Sequence, residues 1–304
     1  MSVLSFLTRN LSSLSRNQHK KQVLNQVLNS PQSNNDVINV HRIDENNVGD
    51  FYCAPHLYFD SLKNKKLDIF DFKAKDESIR NDWIQKISAN SLIIGGGGLL
   101  NRSSFEMQMK LFEALANKGK KMVIWGIGHN EKDKKRFGKI NTYNIDLSKF
   151  GLVGTRDYTM NNSWLPCVSC KHEIFDKNFE ISNEVGIIFH KKTIKDQKLL
   201  KTLSAYPSTS NTKNLEDMVG FIGQTDTLVT DSYHAMYWAM LLGKKVIAIP
   251  NSSKFFDFKY QPVFSSFSNF TNDLSKAKRY DGVLEECRSI NDQFAEKAFN
   301  YLNI

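Results

Sequence analysis

Four consecutive glycines, Gly95-Gly96-Gly97-Gly98, stand inside an otherwise apolar run from Ser91 to Leu100. The apolar residues ahead of them read as a buried strand, and Phe105 to Leu115 behind them is compatible with a helix. Consecutive residues without a Cβ mark a place where backbone passes closer to its neighbours than a side chain permits. In α/β folds such a glycine turn is expected at the carboxyl end of a parallel strand. There, bare amides and a helix N-terminus can hold an anion, although the same run can equally serve only to pack strand against helix. No Gly-Lys-Ser/Thr closes the run, so it is not a phosphate-binding P-loop, and it lacks the Gly-x-Gly-x-x-Gly dinucleotide pattern.

The rest of the chain alternates strands and helices. Strands are predicted near Asp36–Val40, Lys66–Phe72, Ser91–Ile94, Lys121–Trp125 and Gly151–Gly154, with a helix opening at Val48-Gly49-Asp50 and running to about Leu62. Pro166 to Phe179 shows no periodicity and reads as a connection. A second series follows: strands at Glu184–His190, Thr227–Thr230 and Lys245–Ile249, and helices near Asp196–Ala205, Leu215–Gln224, Tyr233–Leu242 and Tyr280–Leu302. The predicted organisation is a helical extension (1–30), an α/β domain (31–165), a linker (166–182) and a second α/β domain with a terminal helix (183–304). Tandem domains of this kind place a cleft between the carboxyl ends of two mostly parallel sheets. In the extension, Leu4, Leu7, Leu11 and Leu14 recur at helical spacing beside Arg9, Arg16, Lys20 and Lys21. That narrow stripe is expected to pack on the body of the protein, with a helix lying on an anionic membrane surface as the alternative.

A length of 304 residues accommodates two domains. No apolar run approaches the roughly 20 residues that span a bilayer, and the N-terminal apolar stretch is too short for a secretory signal, so a cytoplasmic location is expected. The 41 Lys and Arg outnumber the 32 Asp and Glu, which points to anionic partners. Nucleic acid is not expected, because the lysines fall in scattered pairs such as Lys65-Lys66, Lys120-Lys121, Lys191-Lys192 and Lys244-Lys245, read mostly as solvated faces. Cys167-x-x-Cys170 with His172 has metal-like spacing, but no second pair exists and Pro166 precedes it, so no metal is expected.

Three further segments carry chemistry. Thr230-Asp231-Ser232-Tyr233-His234 runs from a strand into a helix, with Asp231 or Ser232 as N-cap. His234 in the first turn can hydrogen-bond an anion or exchange a proton, or else simply cap or pack the helix. Trp125-Gly126-Ile127-Gly128 ends in His129, which should face the cleft, and Thr155-Arg156-Asp157 closes another strand.

Taken in order, Asn46-Asn47-Val48-Gly49-Asp50, the Ile93–Leu99 glycine segment, Trp125–Gly128, Thr155–Asp157 and Thr230–His234 resemble the polysaccharide pyruvyl transferases. The resemblance covers about residues 36–250. It implies two Rossmann-like domains facing across a cleft in a GT-B-like arrangement. It also implies an exopolysaccharide-biosynthesis transferase that moves pyruvyl from phosphoenolpyruvate to a sugar hydroxyl and forms a ketal. The implied partners are an anionic donor and a glycan or lipid-linked saccharide acceptor, with peripheral contact at the inner membrane face and no separate cofactor. By position Arg156 and His234 contact the donor, while Ser232 stands where many members have arginine. The chemistry then assigns His234 as acid, Arg156 as anion clamp, and the amides of Gly95, Gly96, Gly97 and Gly98 as cradle, with Ser232, Tyr233 and His129 beside the donor. Asp50 orients or deprotonates the acceptor, or is only a helix N-terminal charge. Two alternatives stand beside this reading, the first of them kept open by Ser232. One is a GT-B-like glycosyltransferase using a nucleotide sugar, with Phe255, Phe256, Phe258 and Tyr260 lining its site or packing in the core. The other is a non-catalytic glycan-assembly or binding subunit that retains only the fold.

Overall fold

The computed structural model describes residues 18–304. Leu4, Leu7, Leu11 and Leu14 therefore lie outside the described residues. Two parallel sheets organise the chain. The first contains β1 (Val37–His41), β2 (Lys66–Asp68), β3 (Ser91–Leu100), β4 (Met122–His129), β5 (Leu152–Thr155) and β6 (Ser163–Trp164), in the order β2-β1-β3-β4-β5-β6. The second contains β7 (Asn183–Phe189), β8 (Ser208–Ser210), β9 (Thr225–Thr230), β10 (Lys245–Ala248) and β11 (Val263–Phe264), in the order β11-β10-β9-β7-β8.

Parallel sheets need apolar cover on both faces, and strand alternation supplies it here. Ile38, Leu92, Ile94, Met122 and Ile124 face one side of the first sheet, while Val37, Ile93, Val123 and Trp125 face the other. The first side is covered by α1 (residues 18–29) through Val23, Leu24 and Val27, α3 (Glu77–Ala89) through Trp83 and Ile87, and α4 (Glu106–Asn117) through Met109, Phe112 and Leu115. Asp76 starts α3 by accepting the Ser78 amide at 2.8 Å. The second side is covered by the far end of α8 (Val283–Leu302), whose Phe294, Ala295, Ala298 and Leu302 repeat at helical spacing. Residues near the start of α8, Val283, Leu284 and Cys287, pack instead with the second sheet's helices, so one helix ties both sheets together. The second sheet is flanked by α5 (Gln197–Thr202), α6 (Leu215–Gly223) and α7 (Tyr233–Leu241). Every residue of α7 is buried, as expected for an apolar helix enclosed on all sides.

Two local expectations change. The four glycines do not form a turn. They continue β3, which pairs Gly95 with Trp125, Gly97 with Ile127 and Leu100 with His129 before α4 begins at Glu106. The reason is a crowded crossing: a Cβ on Gly95 would press on the Trp125 carbonyl and one on Gly96 would overlap the Cys53 carbonyl. The helix expected from Val48 to about Leu62 stops at Phe51 as α2 (Val48–Phe51) and gives way to short 3-10 turns. Pro55 has no amide hydrogen to continue the ladder. Among the described residues no helix is long and apolar enough to cross a membrane.

Candidate active site

A cavity of about 550 Å³ opens where the carboxyl ends of both sheets meet. Its walls come from segments that follow strands. Arg42 and Asp44 follow β1, Gly96–Gly98 lie in the second half of β3, Asn130 and Lys132 follow β4, His190–Thr193 follow β7, and Asn251 and Lys254 follow β10. Asp50 and Cys53 enter from α2 and the turn after it. Parallel strands send all these connections to one end, which is why residues so distant in sequence meet.

The lining is strongly basic. Arg42, Lys73, Arg102, Lys132, Lys191, Lys192 and Lys254 face two carboxylates, Asp44 and Asp50. Arg42 is paired with Asp68, and Lys191 with Asp44 at 2.8 Å. Among the described residues, Arg102, Lys192 and Lys254 have no ion pair. Burial, with Arg156 nearby, pushes the Lys254 ammonium down to about 7, and Lys132 is pushed down to about 8 by burial and by Arg102. His190 is lowered to about 4 by burial and the surrounding lysines. An unmatched group of cations is the electrostatic requirement of an anionic ligand.

Beneath the glycine floor lies Arg156, 2% exposed, with its guanidinium 4.4 Å from the Tyr233 ring centroid. A Cβ on Gly98 would press on Asn130 and on Arg156 Nη2, so only glycine lets the guanidinium come this close to the cavity. Arg156 Nε and Nη2 are buried without a hydrogen-bond partner. Buried unpaired donors are costly, and a guanidinium is built for a carboxylate or phosphate. Tyr233 is buried over it, and burial raises its phenol well above the ordinary value.

His234, 4% exposed, is also one layer down and does not line the cavity. Its Nε2 is 3.7 Å from Cys167 Sγ, and its ring fills the space that a Cβ on Gly49 would need. Burial, with Lys254 and Arg156 adding to it, holds the imidazole far below its ordinary pKa, so it is neutral at pH 7. Ser232 is the buried N-cap of α7; its amide donates to Thr230 Oγ1 at 3.0 Å and its side chain makes no cap bond. Asp231 ties the loops of the second sheet together. Its carboxylate accepts the His190 amide at 2.6 Å and the Thr193 hydroxyl, and its carbonyl accepts Asn251 Nδ2.

His129 sits in a clasp between the two sheets rather than in the cavity. Ser253 Oγ accepts the Glu131 amide at 2.9 Å and shares a hydrogen bond with His129 Nδ1 at 2.7 Å. His129 Nε2 then donates to Asp257 at 3.1 Å, while the His129 amide donates to Asp157 at 2.7 Å. His129, Asp157 and Asp257 place three ligand-type atoms within 4.8 Å of one another, but these protein hydrogen bonds already engage all three groups.

Of the residues singled out from sequence, Gly96, Gly97, Gly98 and Asp50 line the cavity. Arg156, Tyr233, Ser232 and His234 form the layer below, Gly95 is enclosed between strands, and His129 lies to the side. Asp50 is not merely a helix-end charge: its carboxylate faces the cavity and accepts Asn47 Nδ2 at 2.6 Å. Lys191 and Lys192, expected as a solvated face, line the cavity instead. Lys254, Arg102 and Lys132 escaped sequence reasoning, although their positions shortly after parallel strands were a usable signal. Phe255 and Phe258 belong to the core, at 0% and 1% exposure. The cysteines at 167 and 170 are free, buried thiols.

A model of the family described as polysaccharide pyruvyl transferase matches residues 23–253. No curated protein matches the chain. Among solved structures, an uncharacterized protein from Klebsiella pneumoniae subsp. pneumoniae NTUH-K2044 is 15% identical with a TM-score of 0.41, over 83% of this chain and 90% of that one.

Proposed function

The chain belongs to the polysaccharide pyruvyl transferase family, and from that premise we propose that its basic cavity binds phosphoenolpyruvate and delivers the pyruvyl group to a sugar hydroxyl as a ketal. The supporting observation is the unmatched cationic lining above Arg156, whose buried donors have no partner. Phosphoenolpyruvate offers a phosphate and a carboxylate, each suited to such donors. Ser232 leaves one guanidinium absent, and Arg102, Lys132 and Lys254 supply the charge from neighbouring loops.

The reaction adds a proton to the donor's methylene carbon and a sugar hydroxyl to its central carbon. Phosphate then leaves, and a second hydroxyl closes the ketal. The proton source must face the cavity and carry a transferable proton near pH 7. Lys254 meets that condition and faces the cavity, whereas His234 is neutral and enclosed. His234 acts in this scheme by seating Gly49, and through it the adjoining Asp50, which takes the hydroxyl proton. The two units, 31–165 and 183–304, face each other in this reading as in GT-B enzymes. The enzyme works in the cytoplasm on a glycan or lipid-linked acceptor of exopolysaccharide assembly. For the alternative of a nucleotide-sugar glycosyltransferase, Phe255 and Phe258, two of the four aromatic side chains weighed for a sugar or base site, are enclosed in the core and line no such site.

Thermal denaturation tests the donor. Phosphoenolpyruvate at a hundred times its Kd is expected to stabilise the fold by about 2.7 kcal/mol, with UDP giving no comparable shift. A shift with UDP and none with phosphoenolpyruvate replaces this reading with the glycosyltransferase.

The affinity should also depend on pH with a definite sign. A bound anion stabilises the charged form of Lys254, so binding takes up a proton once the free group, at about 7, has begun to lose it. Arg102, Arg156, Lys132, Asp50 and Tyr233 share its field. Affinity is therefore expected to fall between pH 7 and 8.5, approaching about tenfold per pH unit, with Lys132 adding to the slope near 8. Titration calorimetry in buffers of different ionisation heat counts the protons directly. A flat affinity with no proton uptake would remove Lys254 from the donor site, and Lys254→Met should flatten the wild-type slope.

A further inference from the structure

Two more cavities adjoin the basic one through shared lining residues, the outer one reaching from the first sheet's carboxyl end down beside α4. A cavity of about 400 Å³ shares Arg102, Asn130 and Lys132 with it. A third, of about 610 Å³, shares Thr142, Tyr143 and Asn144 with the second. Each volume lies in the range that holds a small organic ligand. We propose that this continuous groove is the acceptor site and takes a neutral oligosaccharide chain several sugars long. The proposal rests on the reading of the basic cavity as the donor site.

Charge decides the direction. Among the described residues the first cavity presents seven Lys and Arg against two carboxylates, the second three against two, and the third none against two. In the second, Arg136 and Glu131 pair at 3.1 Å. In the third, Glu113 accepts the Asp146 amide at 2.7 Å and Asp146 accepts the Ser148 amide at 3.0 Å. Cation excess thus disappears with distance from the proposed donor. An anionic polymer would gain nothing by entering the third cavity. Uncharged hydroxyls, by contrast, match the amides and hydroxyls of Asn141, Thr142, Asn161 and Asn162.

The groove is also held in shape. Asn101 and Asn144 exchange backbone-to-side-chain hydrogen bonds at 2.9 and 3.0 Å, and Asn101 Nδ2 donates to the Thr142 carbonyl at 2.9 Å. The Tyr143 hydroxyl donates to Asp157 at 3.0 Å, linking the groove wall to the His129 clasp. At the junction with the donor cavity, Asn130 Oδ1 is buried without a hydrogen-bond partner, and an acceptor hydroxyl would supply one. A wall fixed before binding costs little to order.

Saturation-transfer NMR with maltotriose, cellotriose, chitotriose and galactotriose tests the site without needing turnover. At least one trisaccharide is expected to bind at millimolar concentration. Thr142→Trp places an indole at the exposed junction of the outer cavities and should weaken that binding at least tenfold, leaving the phosphoenolpyruvate-induced shift in Tm unchanged. Asn161→Trp, in the outermost cavity, should weaken the trisaccharide more than the matching disaccharide. No signal from any trisaccharide, or equal binding by the wild type and Thr142→Trp, overturns the acceptor groove. Saccharide binding that obeys these substitutions while phosphoenolpyruvate gives no thermal shift overturns the donor reading instead.

Discussion

Replacing Arg156 by methionine is expected to abolish phosphoenolpyruvate binding, by at least about a hundredfold, while leaving the unliganded protein as stable as the wild type or more so. Both halves follow from one observation. Nε and Nη2 of this 2%-exposed guanidinium have no hydrogen-bond partner, so the empty protein carries buried unpaired donors that cost roughly 1–3 kcal/mol. A carboxylate or phosphate reaching them recovers that cost and adds charge-assisted bonds worth about 1.5–3 kcal/mol each. Arg156→Lys should bind almost as poorly as Arg156→Met. Its single ammonium cannot copy a planar two-pronged donor, and burial would depress its charge. Donor affinity and unfolding free energy must be measured on both variants. A structural role, in which Arg156 merely stacks on Tyr233, gives the opposite pattern: lower stability with donor affinity retained. That result would remove the anion clamp from this site.

Gly96→Ala is expected to destabilise the protein by roughly 3 kcal/mol or more, the upper end of overpacking. Its Cβ would overlap the backbone carbonyl of Cys53, and neither partner is a flexible side chain that can swing away. Relief requires β3 and the turn after α2 to separate, which would open the floor beneath Asp50 and the cavity. A Tm lower by roughly 5–10 °C follows for a chain of this size. Gly97→Ala provides the contrast. Its Cβ would meet only Cys53 Sγ at 3.5 Å, but φ is +89°, so its cost is backbone strain, roughly 1–3 kcal/mol. Denaturant unfolding of the two variants separates steric overlap from strain. If Gly96→Ala unfolds at the wild-type midpoint, the glycine run is not held against Cys53 and the floor of the site is looser than described.

Some of this was legible in the residues. Alternation of apolar side chains on both faces, as in Leu92-Ile93-Ile94 and Met122-Val123-Ile124, requires a sheet covered on two sides, and the β-α succession makes it parallel. Parallel order in turn sends the carboxyl ends of each sheet to one side, so the glycines and Arg156 had to lie at one end of the first sheet and Asp231–His234 at the corresponding end of the second, while the meeting of those two ends belongs to the tertiary structure. Elsewhere local signals misled. The glycine run looked like a turn because consecutive glycines mark a close backbone approach; it remains strand because it keeps its pairing with Trp125 and Ile127 of β4, and the missing Cβ atoms let it lie against the Trp125 and Cys53 carbonyls. The helix after Val48 is expected from the sequence to run to about Leu62, but it ends at Phe51, four residues before Pro55, whose missing amide hydrogen cannot bond the Phe51 carbonyl.

The amino-acid sequence by itself determined the α/β class, the two series of strands and the family, because strand alternation, glycine placement and motif order are properties of short segments read in sequence. Only the tertiary structure decided which charges share the cavity and which polar groups are left without partners. Lys191-Lys192 and Lys244-Lys245 are the same dipeptide, yet the first lines the cavity while Lys244 turns its ammonium to the Gly223 carbonyl at 2.6 Å. His234 and Lys254 divide along the same line. A first-turn histidine looks available for proton exchange in any sequence, but here enclosure by Gly49 and Cys167 keeps it neutral, and the lysine at the mouth of β10 holds the charge near pH 7. The physical reason is that desolvation and electrostatic coupling depend on what every other segment brings within a few ångströms, and no local stretch of residues carries that information.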